Sequence, residues 1–218
     1  MLVVRHVVVG PFAENAWLAG CDRTGEAMLV DPGAEISRLL ALAEPGGFRV
    51  SRIVLTHGHI DHAAGAAEAA RRTGAPVQIH PLDLPLLERM PAQAALFGLP
   101  SSPAPAIAHE HVHGERFRVG DHEAVILHVP GHTPGGCAVH FPADGELFAG
   151  DTLFAGSVGR TDLPGGDAAS LLRSIREVLF PLGDDVRVHC GHGPSTSLGR
   201  ERRSNPFVGE GATGGLLG

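Results

Sequence analysis

Apolar residues in this chain fall mostly into short runs, and these alternate with stretches of helical period. Residues 3–9 and 16–19 read as paired strands about the Gly10-Pro11 turn, and residues 26–30 as a third strand. Asp31-Pro32-Gly33 then breaks the chain before a helix predicted over residues 35–43. Residues 52–55 form a short buried strand, and the alanine-rich segment 61–72 a helix closed by Gly74. A strand at 77–79 and a helical stretch near 82–90 follow. Four prolines between Pro91 and Pro105 predict a loop or flap. Further strands are expected at 117–119, 123–129, 136–141 and 146–149, a helix at 167–179, and a last strand at 186–189. Two β-rich halves, each with helices, predict an α/β chain of two facing sheets with helices outside. No linker divides the chain, so a single domain is expected over residues 1–208. Residues 209–218, half of them glycine, are expected to be frayed or disordered.

Between the strand at 52–55 and the helix after it lies His57-Gly58-His59-Ile60-Asp61-His62. Three imidazoles and a carboxylate within one loop are donors that suit zinc, iron or manganese. His57 and His59, two apart, face one side of an extended segment. Asp61 and His62 are adjacent and cannot both point the same way, so two neighbouring ions fit this loop better than one. A strand-to-helix junction is also where α/β folds place their sites.

Three further donors follow the same local pattern of strand, glycine, ligand. They are His132 in Pro130-Gly131-His132-Thr133, Asp151 in Ala149-Gly150-Asp151-Thr152, and His192 in Cys190-Gly191-His192-Gly193. Each alone reads as an ordinary loop residue; with the first cluster they read as metal ligands. Seven donors exceed the needs of one tetrahedral ion and suit two.

Other titratable residues read more plainly. His109, His111 and His113 alternate on one strand face and are the pattern of a third metal site, but they lie in a polar segment after the prolines. His80, His128 and His140 are expected as core or edge residues, and Cys190 as a small buried apolar group. Asp31 is expected to cap the first helix or to support the site. Leu96-Phe97-Gly98-Leu99 reads as apolar packing, with a cover over the pocket as the alternative.

Composition narrows the function classes. A net charge of −7 gives no basic surface for nucleic acid. Lysine and tyrosine are both absent, which removes mechanisms that need either. Cys21, Cys137 and Cys190 are widely spaced with no CxxC pair, pointing to a cytoplasmic protein. The apolar N-terminal run is too short to span a membrane and lacks a small-residue cleavage site, so no membrane association is expected.

The ordered set His57-x-His59-x-Asp61-His62, His132, Asp151 and His192 resembles the metallo-β-lactamase superfamily, from the first strands to about Phe207. That resemblance implies a four-layer αββα sandwich and two divalent metal ions, zinc first, with iron or manganese as alternatives. It assigns His57, His59 and His132 to one ion, Asp61, His62 and His192 to the other, and Asp151 to a bridge between them. Asp151 stands where true β-lactamases of this superfamily carry cysteine, and lactonases of the fold use a tyrosine that this chain lacks. Gly159–Asp167 and Gly191–Phe207 are similar to short, single-domain bacterial type II glyoxalases. The implied activity is hydrolysis of S-lactoylglutathione-like thioesters by a metal-bridging hydroxide, with Asp61 orienting the water. Arg160 or the Arg200–Arg203 run is a candidate for a substrate carboxylate, Arg160 alternatively for a place behind the ligands, although surface arginines are more often simply solvated. The alternative is a persulfide dioxygenase with a single iron on His57, His132 and Asp151. Full-length type II glyoxalases add a C-terminal helical domain that holds glutathione, and this chain ends before it.

Overall fold

Successive residues of the central strands enter different apolar cores, and this sorts the chain into layers. The structure, a computed structural model, describes residues 1–212. β1 (Leu2–Val9), β2 (Glu14–Cys21), β3 (Glu26–Val30), β4 (Arg49–Val54), β5 (Val77–Ile79) and β6 (Ile107–Glu110) lie side by side in that order. β1 to β3 are antiparallel, and β3 to β6 are parallel. The second sheet is built from β7 (Arg116–Val119), β8 (His122–His128), β9 (Cys137–Phe141) and β10 (Glu146–Gly150). After a short ribbon of β11 (Leu153–Phe154) and β12 (Ser157–Val158), β13 (Arg187–Cys190) and β14 (Thr196–Ser197) complete it in the order 14-13-10-9-8-7. Only the β10–β13 pairing in this sheet is parallel.

Trp17, Met28, Val30 and Val54 of the first sheet meet Ala124, Ile126, Val139 and Phe148 of the second in a core between the sheets. The intervening residues Leu18, Leu29, Ile53 and Leu55 face outward, against Ile36, Leu39, Ala63, Ala66 and Ala69 of the covering helices. On the other side Val125, Leu127, Leu147 and Val188 pack on Leu171, Ile175 and Leu179. Strands with both faces buried read as continuous apolar runs rather than alternating ones. Three cores stacked in this way make the expected four-layer αββα sandwich.

The helices are α1 (Ile36–Ala41), α2 (Ile60–Ala63), α3 (Ala66–Thr73), α4 (Leu84–Glu88), α5 (Met90–Phe97), α6 (Ala168–Arg173) and α7 (Leu198–Ser204). The helix expected over 61–72 is broken in two at Gly65, where a side chain would run into the Pro32 carbonyl and Ile36. The stretch from Pro91 is not a loop at its start: Pro91 occupies the first turn of α5, where a missing amide is harmless. β6 was not among the predicted strands, though the histidines from His109 on alternate as strand residues do; it is a largely exposed edge whose pairing with β5 supplies the order. α6 continues through a wider π-type turn, Ser174–Leu179, covering the rest of the predicted helix. α7 and β14 were also unmarked in the sequence. Of the glycine-rich end, residues 209–212 run back on α7, with Glu210 N donating to Arg202 O at 2.7 Å; the remainder of the expected tail lies outside the described residues. Among the described residues no helix is long and apolar enough to cross a membrane.

Candidate metal centre

All seven expected donors sit at one edge of the sandwich, past the C-terminal ends of strands. His57 follows β4, His59 is the N-cap of α2, and Asp61 and His62 lie in its first turn. His132 follows β8, Asp151 follows β10, and His192 follows β13. Three donor groups assemble with ligand atoms within 4.8 Å of one another: His57, His59 and His132; Asp61, His62 and His192; and Asp31, His57 and His62. Asp151 stands between the first two. Its carboxylate lies 3.4 Å from His62 Nε2, 3.7 Å from His132 Nε2 and 3.5 Å from His192 Nε2.

The imidazoles are aimed by the groups behind them. His62 Nδ1 donates to Asp31 Oδ2 at 3.0 Å, His132 Nδ1 to the Arg160 carbonyl at 2.8 Å, and His192 Nδ1 to the Phe12 carbonyl at 3.1 Å. Thr56 Oγ1 donates to Asp31 Oδ2 at 2.6 Å, which leaves it to accept from His57 Nδ1 at 3.0 Å. Four of the five rings thus spend Nδ1 on the protein and turn Nε2 inward. This is the arrangement that fixes tautomer and orientation in metal-binding histidines. His59 is turned the other way, with Nδ1 only 2.9 Å from His132 Nε2. His57 Nε2, His62 Nε2 and Asp151 Oδ1 are buried without any hydrogen-bond partner. Buried polar atoms are rarely left so, and an ion is one of the few things that satisfies them. The donor set therefore fits divalent metal ions.

Charge within the cluster follows from burial and proximity. Burial, reinforced by the neighbouring imidazoles, pulls His57 well below the ordinary histidine range and His59 down to about 4, leaving neutral donors. Burial works against ionisation of Asp61 and Asp151, but His62 and the other rings outweigh it and hold both carboxyls below their ordinary range. His62 is likewise opposed by burial, yet Asp151 and Asp61 raise it. Glu14, with both oxygens buried and unpartnered nearby, is pushed up by burial.

Several supporting residues had no signal in the sequence. Asp83, fully buried, accepts from Gly58 N at 2.9 Å, Thr133 Oγ1 at 2.8 Å and Gly135 N at 2.6 Å, and so fastens the His57 loop to the His132 loop. Gln93 of α5 accepts from Ile60 N at 3.0 Å, so the helix missed in the proline-rich stretch braces the same loop. Asp31 supports the site and does not cap α1, whose N-cap is Glu35; Asp31 reaches Thr56 and His62 from a left-handed backbone, φ 50°, that stores strain. Thr56, beside His57, was within reach of sequence reasoning; Asp83 and Gln93 were not.

Asp61 and His192 lie on the open side, 3.3 Å apart. Phe12 and Phe97 stack edge to face there, ring centres 5.1 Å apart, and Phe154 stands over His192. The guanidinium of Arg160 is forked onto Asp162 at 2.6–2.7 Å and is mostly exposed; its backbone carbonyl is what touches the centre.

A fold of two such sheets with this donor set is a family trait, and the sequence model of the Metallo-beta-lactamase superfamily matches residues 9–192. The chain belongs to that superfamily. It is 38% identical to hydroxyacylglutathione hydrolase GloC of Haemophilus influenzae, over 94% of this chain and 97% of GloC. Among solved structures it is similar to TTHA1623 in a di-iron-bound form, at 41% identity and TM-score 0.83, covering 94% of this chain and 100% of the other. It is also similar to the BLEG-1 B3 metallo-beta-lactamase, at 32% identity and TM-score 0.88, covering 94% and 99%.

Proposed function

We propose that this chain is a binuclear metallo-hydrolase that cleaves hydroxyacyl thioesters of the S-lactoylglutathione kind with water. The observation that carries the reading is Asp151, a carboxylate facing His132 of one donor group and His62 and His192 of the other. Cysteine at that place would favour a different division of the ligands. Similarity to GloC along nearly the whole of both chains supports the thioester as substrate.

Divalent ions held by these seven residues would polarise the carbonyl and make bound water nucleophilic at neutral pH. The rest is the work of the chain. Asp31, Thr56 and the carbonyls of Arg160 and Phe12 hold the rings in the tautomer that presents Nε2. Asp61, kept ionised on the open side, would hold the second ion and orient the water. A thiolate leaves without strong acid assistance, because thiols ionise far more readily than alcohols. The absence of lysine and tyrosine therefore costs the reaction nothing. Phe12, Phe97 and Phe154 offer the acyl-thiol an apolar rim. Arg160 reaches a substrate carboxylate only by leaving Asp162. Zinc is the ion we assign first, and the di-iron form of TTHA1623 supports iron as the alternative. Three free, buried cysteines suit a reducing compartment, and we place the protein in the cytoplasm.

The test is metal analysis combined with three assays: S-lactoylglutathione hydrolysis, oxygen uptake on glutathione persulfide, and hydrolysis of a β-lactam. Thioester turnover that tracks two metals in the centre supports the proposal. Oxygen consumption with one iron, or β-lactam turnover exceeding thioester turnover, would overturn it.

A further inference from the structure

The two sheets are joined at one side by the short passage from β6 to β7. His111 N donates to Ile79 O at 2.9 Å on the first sheet, and Gly114 N donates to Ile126 O at 2.8 Å on the second. His128 N donates to His113 Nδ1 at 3.1 Å, closing the passage further. His109 and His111, two residues apart, leave the end of β6 on the same side, and Glu115 meets them from beyond the turn. His109 Nε2 is 2.7 Å from Glu115 Oε1, and His111 Nδ1 is 3.9 Å from Oε2. One ligand atom from each of the three lies within 4.8 Å of the others.

His111 is the telling residue. It is wholly buried, and neither ring nitrogen has a hydrogen-bond partner. An imidazole stripped of water on both nitrogens is costly unless something binds it. Nothing in the hydrolytic centre uses it. Arg52, the cation on this side, is hydrogen-bonded to Gln78 at 2.7 Å and lies over the Phe117 ring, so it does not occupy the carboxylate. His80 and His128 stack nearby with parallel rings 4.2 Å apart.

We propose that His109, His111 and Glu115 form a further metal site, taking a zinc-class divalent cation with water in the fourth position. Two imidazoles and one carboxylate are a recurrent zinc set, and the half-exposed His109 leaves an entry path. The ion clips the outer strand of one sheet to the start of the outer strand of the other, and is separate from the centre built on His57 to His192. In the sequence His109, His111 and His113 had the pattern of a third metal site within a polar segment; here the passage becomes a cation-bound clip between the sheets.

Zinc binding to the full-length protein, measured by equilibrium dialysis at about 1 μM free zinc, tests this in His109→Asn and Glu115→Gln. The first residue is half-exposed and the second substitution is isosteric, so both variants are expected to fold, with far-ultraviolet circular dichroism as the check. Each variant is expected to bind about one zinc per chain fewer than the parent, and cobalt loading to lose one tetrahedral visible band. The difference between parent and variant is the readout, so it stands whatever the occupancy of the hydrolytic centre. A parent with no more zinc than the variants, or variants whose affinity at this site falls less than threefold, would overturn the proposal.

Discussion

Gly191 packs directly against Asp151 and His62 of the metal centre, and adding one methyl group there tests the geometry directly. A Cβ on Gly191 would stand against Asp151 Oδ1 and 2.7 Å from His62 Cε1. An ordinary carbon–carbon contact needs about 3.5 Å, so His62 must retreat by nearly 1 Å and Asp151 by more. Neither can do so cheaply. His62 is fully buried and tied to Asp31, and the backbone of Gly191 is itself hydrogen-bonded to Gly150 O at 2.9 Å and to Asn15 N at 2.7 Å. A displacement near 1 Å at a reacting centre costs roughly 100-fold in rate. Gly191→Ala is therefore expected to lower kcat/KM for the thioester by about 100-fold and to weaken metal binding, with overpacking adding about 1–3 kcal/mol of lost stability. Gly193→Ala, two residues on, is the control: its Cβ would meet nothing within 4 Å, though its φ of +72° makes alanine strained. It should cost about 1 kcal/mol in urea unfolding while leaving metal content intact. Steady-state kinetics and metal analysis on the pair decide the matter. Two bound metals and a kcat/KM within threefold of the parent in Gly191→Ala would refute this placement of Asp151 and His62.

Asp31→Asn keeps the shape of a group that touches no ion in the proposed arrangement but removes the charge behind His62 and Thr56; metal affinity should fall about 10- to 100-fold, read by competition with a chelator. Asp83→Ala strips the shared acceptor from Gly58 N, Gly135 N and Thr133 Oγ1 and should destabilise the chain by about 3 kcal/mol or more in urea; a loss under 1 kcal/mol would mean the two loops do not depend on it. His111 supplies a pH signature in chelator-treated protein. Burial, opposed by Glu115 and reinforced by His109, Arg52 and His80, lowers its folded value to about 4 against 6.5 for the free side chain. The unfolded chain thus takes up this proton first as pH falls, so stability declines between pH 6.5 and 4, by up to about 3 kcal/mol, and is regained above that window. His111→Gln should flatten that part of the stability profile; an unchanged slope would contradict the burial of a neutral ring.

Much of the layering was legible because it depends on local pattern. Runs such as Leu147-Phe148-Ala149, buried on both faces, can only be inner strands of a covered sheet, and they gave two sheets with helices outside. The donors were legible because four crowd into one loop, His57 to His62, and the other three each follow a strand and a glycine, local signatures that survive without tertiary knowledge. What escaped was whatever local propensity does not encode. β6 is polar and exposed, and exists because β5 offers it a pairing edge. α5 carries in its first turn a proline, Pro91, that reads as a breaker until its position there is known.

The amino-acid sequence alone marked the candidate donors that the fold brings together, His57, His59, Asp61, His62, His132, Asp151 and His192, in a chain with no lysine or tyrosine. Only the tertiary structure decided how they are held. Asp31, Asp83, Gln93 and the carbonyls of Phe12 and Arg160 come from distant parts of the chain, and each acts through one hydrogen bond or a few. Residue type and spacing announce a ligand, because the donor atom belongs to the side chain. The orientation of that ligand belongs to its neighbours in space. The same holds for His111: the sequence shows a histidine in a polar stretch, and only the closing of two sheets around it leaves both its nitrogens buried and unpaired.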